Sequence, residues 1–176
     1  MIALVTGASS GIGRDIAREL AKRKYNIIAV ARNEDALKEL KNELEKEYEV
    51  NVDVRAMDLI DRDGCRKLHD DVKSQYGIID VLVNDAGFGT CGKFTETDLD
   101  KELGMIDTNV VALHILTKLF LIDMVKADKG HILNVASIAG FMPGPLMATY
   151  YSTKSYVVRL TQSIRQELFM QGSHVK

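Results

Sequence analysis

The stretch IALVTGASSGIG, residues 2–13, decides the fold of this chain. Ile2–Thr6 is a short apolar run, which is typical of a strand buried inside a parallel sheet. Glycines then follow in the spacing G-x-x-x-G-x-G, and a helical pattern of apolar residues opens with Ile16 and Leu20. A strand, a glycine-rich turn and a helix in this order form a phosphate cradle, because the first backbone N–H groups of the helix face the anion.

Each glycine of the turn has its own expected role. Gly7 permits the tight turn, Gly11 lets the backbone approach a pyrophosphate, and Gly13 lets the helix pack close to the strand. The spacing differs from the commoner G-x-G-x-x-G pattern, so the turn alone is weak support for a bound dinucleotide. A simple turn without a ligand is the alternative at this point.

The rest of the chain alternates short apolar runs with helical patterns. Further strands are predicted over residues 26–31, 50–57, 78–83 and 131–135. Further helices are predicted over residues 34–47, 61–76, 98–125 (one helix or two in tandem) and 149–171. This order predicts a single α/β domain over residues 1–176. Its fold is a doubly wound parallel sheet, or Rossmann fold, with helices on both faces in three α/β/α layers. Ligands bind such sheets at the carboxyl ends of the strands.

The composition is that of an ordinary globular protein, with 46% hydrophobic and 27% charged residues. The net charge of -2 gives no reason to expect binding to nucleic acid or to an anionic membrane. Cys65 and Cys91 form no metal-binding spacing and the histidines are scattered, so we expect no metal site. The sequence shows neither a signal peptide nor a membrane-spanning run, and we expect a cytoplasmic protein.

The end of the second predicted strand bears on the choice of cofactor. NAD-binding forms of this fold place a carboxylate there, which binds the ribose 2′-hydroxyl. Here the strand ends at Ala31 and Arg32 follows, and a guanidinium can bind a 2′-phosphate. This favours NADP over NAD, with an exposed helix-start arginine as the alternative. Asp58, at the end of the third strand, can accept a hydrogen bond from an adenine amino group.

Tyr150 and Lys154 stand four residues apart at the start of the last predicted helix, which puts both side chains on one face. A free phenol has a pKa of about 10, and a fixed ammonium nearby favours the phenolate. Such a tyrosine can act as general acid to a carbonyl or as general base to an alcohol. An ordinary amphipathic helix has the same spacing. Tyr151 can share the face of Lys154 as well, so helical geometry does not separate the two tyrosines.

Together these segments resemble the short-chain dehydrogenase/reductase family over essentially the whole chain. The matching pieces are TGASSGIG at residues 6–13, Asp58, NDAG at residues 84–87, Asn109, Ser137 and Tyr150-x-x-x-Lys154. The resemblance implies that Tyr150, selected by the four-residue step, is the proton donor or acceptor. Lys154 would hold the nicotinamide ribose and lower the pKa of that phenol. Ser137 would orient the substrate carbonyl, and Asn109 would hold a water in a proton relay.

The resemblance also implies a cofactor site and an activity. The expected cofactor-binding residues are Gly7, Ser9, Ser10, Gly11, Ile12, Gly13, Arg32, Asp58, Leu59, Asn84, Ala86, Gly87, Tyr150 and Lys154. The expected activity is hydride transfer between NADP(H) and a small-molecule carbonyl or secondary alcohol, as in NAD(P)-dependent dehydrogenases that act on CH–OH groups. Relatives often pair through the helices equivalent to residues 98–125 and 149–171, which implies a homodimer or homotetramer.

The chain departs from the family pattern in two places. Asp85 stands where the family usually has a second asparagine, and the sequence offers no role for its carboxylate. The chain stops at Lys176, and His174–Lys176 resembles the entry to a sixth strand. We therefore expect an incomplete domain that lacks the last strands and the substrate lid. An NADP-binding protein without turnover is the alternative function, and a nucleotide-binding scaffold of another chemistry needs only the glycine turn.

Overall fold

The computed structural model describes residues 1–176 and contains five strands and six α-helices. The strands are β1 (Ile2–Thr6), β2 (Asn26–Ala31), β3 (Val52–Ala56), β4 (Val81–Asn84) and β5 (His131–Asn134). The helices are α1 (Gly11–Lys22), α2 (Glu34–Tyr48), α3 (Arg62–Tyr76), α4 (Leu99–Ile106), α5 (Leu113–Ala127) and α6 (Ala148–Met170). A π-helical segment, Asp107–Ala112, joins α4 to α5, and a 3-10 turn, Ile138–Phe141, follows β5. None of the helices combines the length and the apolar character needed to cross a membrane.

The five strands form one parallel sheet in the order β3-β2-β1-β4-β5. β1 is central, since Thr6 pairs with Val30 of β2 on one side and with Asn84 of β4 on the other. The chain therefore winds outward from β1 in both directions, which confirms the predicted doubly wound fold. The order reverses between β1 and β4, and ligands of such sheets bind in the crevice at this reversal.

Apolar side chains on the two faces of the sheet form two separate cores, because successive residues of a strand point to opposite faces. On one face, Leu4, Ile28 and Leu82 pack with residues of α3, α5 and α6. On the other face, Ala3 and Val5 pack with residues of α1 and α2. Helices thus cover both faces, which confirms the three predicted layers.

Most predicted element boundaries are confirmed to within two residues, and the start of β4 is the exception. The apolar run predicts a strand from Ile78, but the strand begins at Val81. Gly77 ends α3 with a φ of +71°. Ile79 packs into the core in the turn that follows, before strand pairing starts. Because Ile79 is buried although it is not paired in the sheet, the sequence of this turn is as apolar as that of a strand.

The long helix predicted over residues 98–125 changes its winding in the middle. α4 leads into the π-helical segment Asp107–Ala112, and α5 continues from there. Short π-helical turns inside α-helices often occur at functional sites. Asn109 lies in this segment and is only 1% exposed.

The outer edge of β5 is partly paired by the last residue of the chain. Ile132 N donates a hydrogen bond to Lys176 O at 2.7 Å, and Lys176 N donates to Gly130 O at 3.1 Å. The segment predicted as the entry to a sixth strand therefore contacts the outer edge of β5, although it is not itself a regular strand.

Candidate active site

A cleft of about 820 Å³ opens at the carboxyl ends of the strands. The predicted cofactor residues that line it are Gly7, Ser9, Ser10, Gly11, Ile12, Arg32, Asp58, Leu59, Ala86, Gly87, Tyr150 and Lys154. The lining residues that the sequence did not single out as ligands are Ala31, Asn33, Met57, Asp85, Phe88, Gly89, Thr108, Val135, Ala136 and Met147. Four predicted site residues lie outside the lining: Gly13, Asn84, Asn109 and Ser137.

The glycine turn packs as tightly as predicted. Gly7 has a φ of +72°, and a Cβ placed on it would lie 2.9 Å from Ala86 N. A Cβ on Gly13 would lie 2.6 Å from Gly7 O. Only glycine fits at these two positions, so α1 starts directly against the end of β1. Its first residues, Gly11 and Ile12, line the cleft.

α1 begins without a side-chain cap of its own. Ser10 occupies the N-cap position, yet its hydroxyl makes no hydrogen bond to the helix. The carboxylate of Asp85, just beyond β4, lies there instead, with Oδ2 2.7 Å from the Cβ position of Gly13. Burial raises the pKa of Asp85, while the backbone N–H of Gly13 and the charge of Lys154 oppose the rise. The carboxylate that the sequence left without a role therefore lies half-buried at the glycine turn.

Arg32, Asn33 and Asp58 line the cleft beyond the ends of β2 and β3. The Arg32 side chain is 71% exposed, and Nη1 lies 3.9 Å from the Asp58 carboxylate. An ion pair this long and exposed contributes little energy, so the guanidinium is available to a ligand. Asn33 accepts a hydrogen bond from Ala36 N as the N-cap of α2. Its place just after a strand is the signal by which sequence reasoning could have found it.

α6 places Tyr150 and Lys154 in the wall of the cleft and leaves Tyr151 outside it. Residues 87–89 follow β4 and line the cleft, and we call them the cleft loop. A Cβ on Gly89 would lie 3.0 Å from the ring of Tyr150, so the cleft loop runs against that ring. The ring of Tyr151 packs against Gly144 instead. The structure thus separates two tyrosines that helical spacing left equivalent.

The amine of Lys154 is buried and fixed. The residue is 6% exposed, and Nζ donates a hydrogen bond to Val135 O at 2.8 Å. Burial lowers the pKa of Lys154, and the neighbouring Asp85 carboxylate opposes the drop. A Cβ on Gly87 would lie 3.7 Å from Nζ. The amine therefore lies beside the small residues that follow β4, with a positive charge in a fixed position at the cleft wall.

Asn109 and Ser137 lie outside the lining of the cleft. Asn109 Oδ1 accepts from Phe88 N at 3.1 Å, and Nδ2 donates to Phe88 O at 2.9 Å. Nδ2 also donates to Thr153 Oγ1 at 3.1 Å, so this side chain ties the π-helical segment to the cleft loop and to α6. Ser137 is the N-cap of the 3-10 turn, and its Oγ accepts from Ala139 N at 3.1 Å.

Asn84 belongs to a buried polar network between the sheet and the helices. It lies opposite Asn134 in the register of β4 and β5. Its Nδ2 donates to Asn134 Oδ1 at 2.9 Å and to Thr117 Oγ1 at 3.0 Å. Asn134 Nδ2 in turn donates to Thr161 Oγ1 at 3.0 Å. Both amide hydrogens of Asn84 are thus engaged within the protein, and the network links the ends of two strands to α5 and α6.

Several known proteins are similar to this chain in sequence. A family model described as short chain dehydrogenase matches residues 1–176. An oxidoreductase of Staphylococcus epidermidis is 38% identical over 176 residues, which covers 99% of this chain and 74% of that protein. The NADP-dependent 3-hydroxy acid dehydrogenase of Schizosaccharomyces pombe is 38% identical over 167 residues, which covers 93% of this chain and 64% of that protein.

A solved structure shares the fold. The crystal structure of a metagenomic short-chain oxidoreductase in complex with NADP matches with a TM-score of 0.93 at 31% sequence identity. The match covers 100% of this chain and 79% of the other. Because the family model spans every residue and the relatives share both sequence and fold, the chain belongs to the short-chain dehydrogenase family of oxidoreductases.

Proposed function

We propose that this chain binds NADP(H) and catalyses hydride transfer between the nicotinamide and a carbonyl or secondary-alcohol substrate. The observation that carries the proposal is the presence of Tyr150 and Lys154 in one cleft with the glycine turn and Arg32. When bound, the dinucleotide supplies the hydride chemistry. The chain itself supplies anion binding, orientation of the substrate and a proton.

The cleft fits a phosphorylated dinucleotide. Gly7 and Gly13 leave no room for side chains, so backbone N–H groups at the start of α1 are available to a pyrophosphate. The exposed guanidinium of Arg32 can bind a 2′-phosphate with two parallel hydrogen bonds. The relative from Schizosaccharomyces pombe is NADP-dependent, and the metagenomic relative was solved with NADP. These facts support NADP over NAD.

Tyr150 is the proposed general acid or base at the substrate oxygen. The positive charge of Lys154 in the same wall stabilises the negative charge that develops on a phenol oxygen during proton transfer. An ammonium has three donors, and the bond to Val135 O uses one of them. The other two can hold the hydroxyls of the nicotinamide ribose.

Ser137 and Asn109 have proposed supporting roles. The oxygen of Ser137 accepts a hydrogen bond from Ala139 N, which leaves the hydroxyl hydrogen to orient a substrate carbonyl. Asn109 uses both amide hydrogens and one acceptor site within the protein. Its Oδ1 keeps a second lone pair, which can bind the water of a proton relay.

The surroundings of Tyr150 favour a substrate with an apolar portion. Phe88 and Met147 line the cleft together with Tyr150. The segment that leads into α6 also exposes Phe141 and Leu146, at 65% and 53%. Apolar surface of this kind binds a hydrocarbon part of a ligand, while the polar groups fix its oxygen.

The test is the loss of NADPH absorbance with a panel of ketones and aldehydes, using wild type and two matched variants. Tyr150→Phe should lower turnover by about 100-fold or more and leave NADPH affinity nearly unchanged. Tyr151→Phe removes a hydroxyl outside the cleft and should retain turnover. Loss of turnover in Tyr151→Phe alone would contradict the assignment. A wild type that binds NADPH but reduces no carbonyl in the panel would favour a cofactor-binding protein without turnover.

We also propose that copies of the chain associate as a homodimer or homotetramer through α5 and α6. Ile122 and Tyr156 lie on these helices and are 40% and 37% exposed, and light scattering after size-exclusion chromatography measures the association. The cytoplasmic location and the single domain over residues 1–176 stay predictions from the sequence.

A further inference from the structure

The first turn of α1 lies against a carboxylate from another part of the chain. The N-cap residue Ser10 makes no side-chain hydrogen bond, and the first turn of α1 contains no acidic residue. The third N–H of the helix belongs to Gly13, the position that an N-cap side chain normally serves. Oδ2 of Asp85 lies 2.7 Å from the Cβ position of Gly13, and the N–H of Gly13 acts against the rise in the pKa of Asp85. A carboxylate that follows β4 thus lies at the N-terminus of α1, where the N-cap side chain makes no hydrogen bond.

The Asp85 carboxylate also lies at the place where the glycine turn meets the cleft. Its Oδ2 is 3.0 Å from the Cβ position of Gly7 and 2.7 Å from that of Gly13, and Asp85 itself lines the cleft. Two groups favour its ionised form: the backbone N–H of Gly13 and the buried ammonium of Lys154. A negative charge therefore stands within the cradle that would receive a pyrophosphate.

We propose that Asp85 is a positioning residue that fixes the start of α1 and, through its charge, weakens the binding of the dinucleotide phosphates at the same turn. The inference rests on the proposed NADP(H) site. A carboxylate at a helix N-terminus occupies the favourable potential that would otherwise act on a bound anion. Two negative groups at one helix terminus also repel each other, so bound phosphate favours the protonated form of Asp85.

The sign of the pH dependence follows from this competition. Burial already raises the pKa of Asp85 above its ordinary value, against the influence of Gly13 N–H and Lys154. Lowering the pH protonates the carboxyl and removes the repulsion, so the affinity of wild type for NADPH rises through this group as the pH falls. An amide at position 85 keeps an oxygen acceptor near Gly13 N–H but carries no charge. The NADPH affinity of such a variant therefore lacks the pH dependence that comes from this carboxyl.

The experiment compares Asp85→Asn with wild type by fluorescence titration of NADPH over a range of pH. The variant should bind NADPH about threefold to tenfold more tightly at pH 8, and the difference should shrink as the pH is lowered. Asp80→Asn is the matched control. Asp80, on the amino-end side of β4, accepts a hydrogen bond from Ile2 N and lies outside the cleft lining. The control should keep wild-type affinity at every pH.

A second variant separates the cap from the charge. Asp85→Ala removes both, so its thermal midpoint without ligand should lie about 2–4 °C below that of Asp85→Asn. A wild type that binds NADPH with the same affinity and pH profile as Asp85→Asn would overturn the inference and leave the proposed function intact. A wild type that binds no NADPH at all would overturn both.

Discussion

Replacing Gly13 with alanine tests whether the tight packing of the glycine turn holds the site together. A Cβ there would lie 2.6 Å from Gly7 O and 2.8 Å from Gly7 C, and these are backbone atoms that cannot simply rotate away. Overpacking of this kind costs about 1–3 kcal/mol. The greater helix propensity of alanine returns at most about 1 kcal/mol. We expect the free energy of unfolding to fall by about 1–2 kcal/mol.

Gly104 offers the same substitution in a helix where space exists. A Cβ on Gly104 would meet Ile60 Cδ1 at 3.6 Å and Phe88 Cζ at 4.0 Å, which are ordinary van der Waals contacts. Gly104→Ala should therefore stabilise the protein by about 0.5–1 kcal/mol, because alanine loses less backbone entropy on folding. The two substitutions are chemically identical, and their effects should differ in sign.

Urea unfolding followed by circular dichroism measures both free energies, and a titration with NADPH reports on the turn itself. Gly13→Ala should bind NADPH more weakly, because relief of the overlap moves the start of α1 away from the end of β1. Gly104→Ala should bind as wild type does. A Gly13→Ala protein with wild-type stability and wild-type NADPH affinity would refute the packing argument, as would stabilisation by both substitutions.

Three other substitutions have defined outcomes. Arg32→Ala should weaken NADPH binding and leave NADH binding nearly unchanged, which parallel titrations measure; equal losses for both would contradict a 2′-phosphate contact. Although burial opposes ionisation of Asp123, hydrogen bonds from Lys73 and His69 hold its pKa below the ordinary value. Asp123→Asn should therefore destabilise the protein by about 1–3 kcal/mol at pH 7. The deficit should shrink below about pH 4, and urea unfolding at several pH values tests it. Asn109→Leu leaves the backbone of the cleft loop unpaired and should lower stability by about 2–4 kcal/mol, as measured by urea unfolding.

The order of strands and helices could be predicted from the sequence because each element is marked by a local sequence pattern. Each parallel strand is a short apolar run, each helix has a stripe of apolar residues, and glycines mark the first turn. Ile2–Thr6 and Asn26–Ala31 are found within the predicted bounds. The start of β4 was predicted too early because Ile79 is buried in a turn, and burial alone does not distinguish a turn from a strand.

From the residues alone, the site was most readily predictable where a residue acts through its own position at a strand end. Arg32 lines the cleft as the strand-end rule requires. The choice of Tyr150 over Tyr151 depends on how Gly144 packs, which no helical spacing encodes. The burial of Asn109 depends on π-helical winding, and the carboxylate of Asp85 lies against Gly13 at the start of a distant helix. Neither the burial of Asn109 nor the surroundings of Asp85 is marked by a local sequence pattern.

The hydrogen-bonded amides of Asn84 and Asn134 fix the alignment of β4 against β5. A slip of one residue between β4 and β5 would turn one amide to the opposite face and leave the other with unmet hydrogen-bonding groups in the interior. The two strands can therefore pair in one register only, and that register decides how far the segments after them reach toward a ligand. Exchange of either asparagine alone carries this penalty, so we expect related sequences to keep both or to replace both in concert.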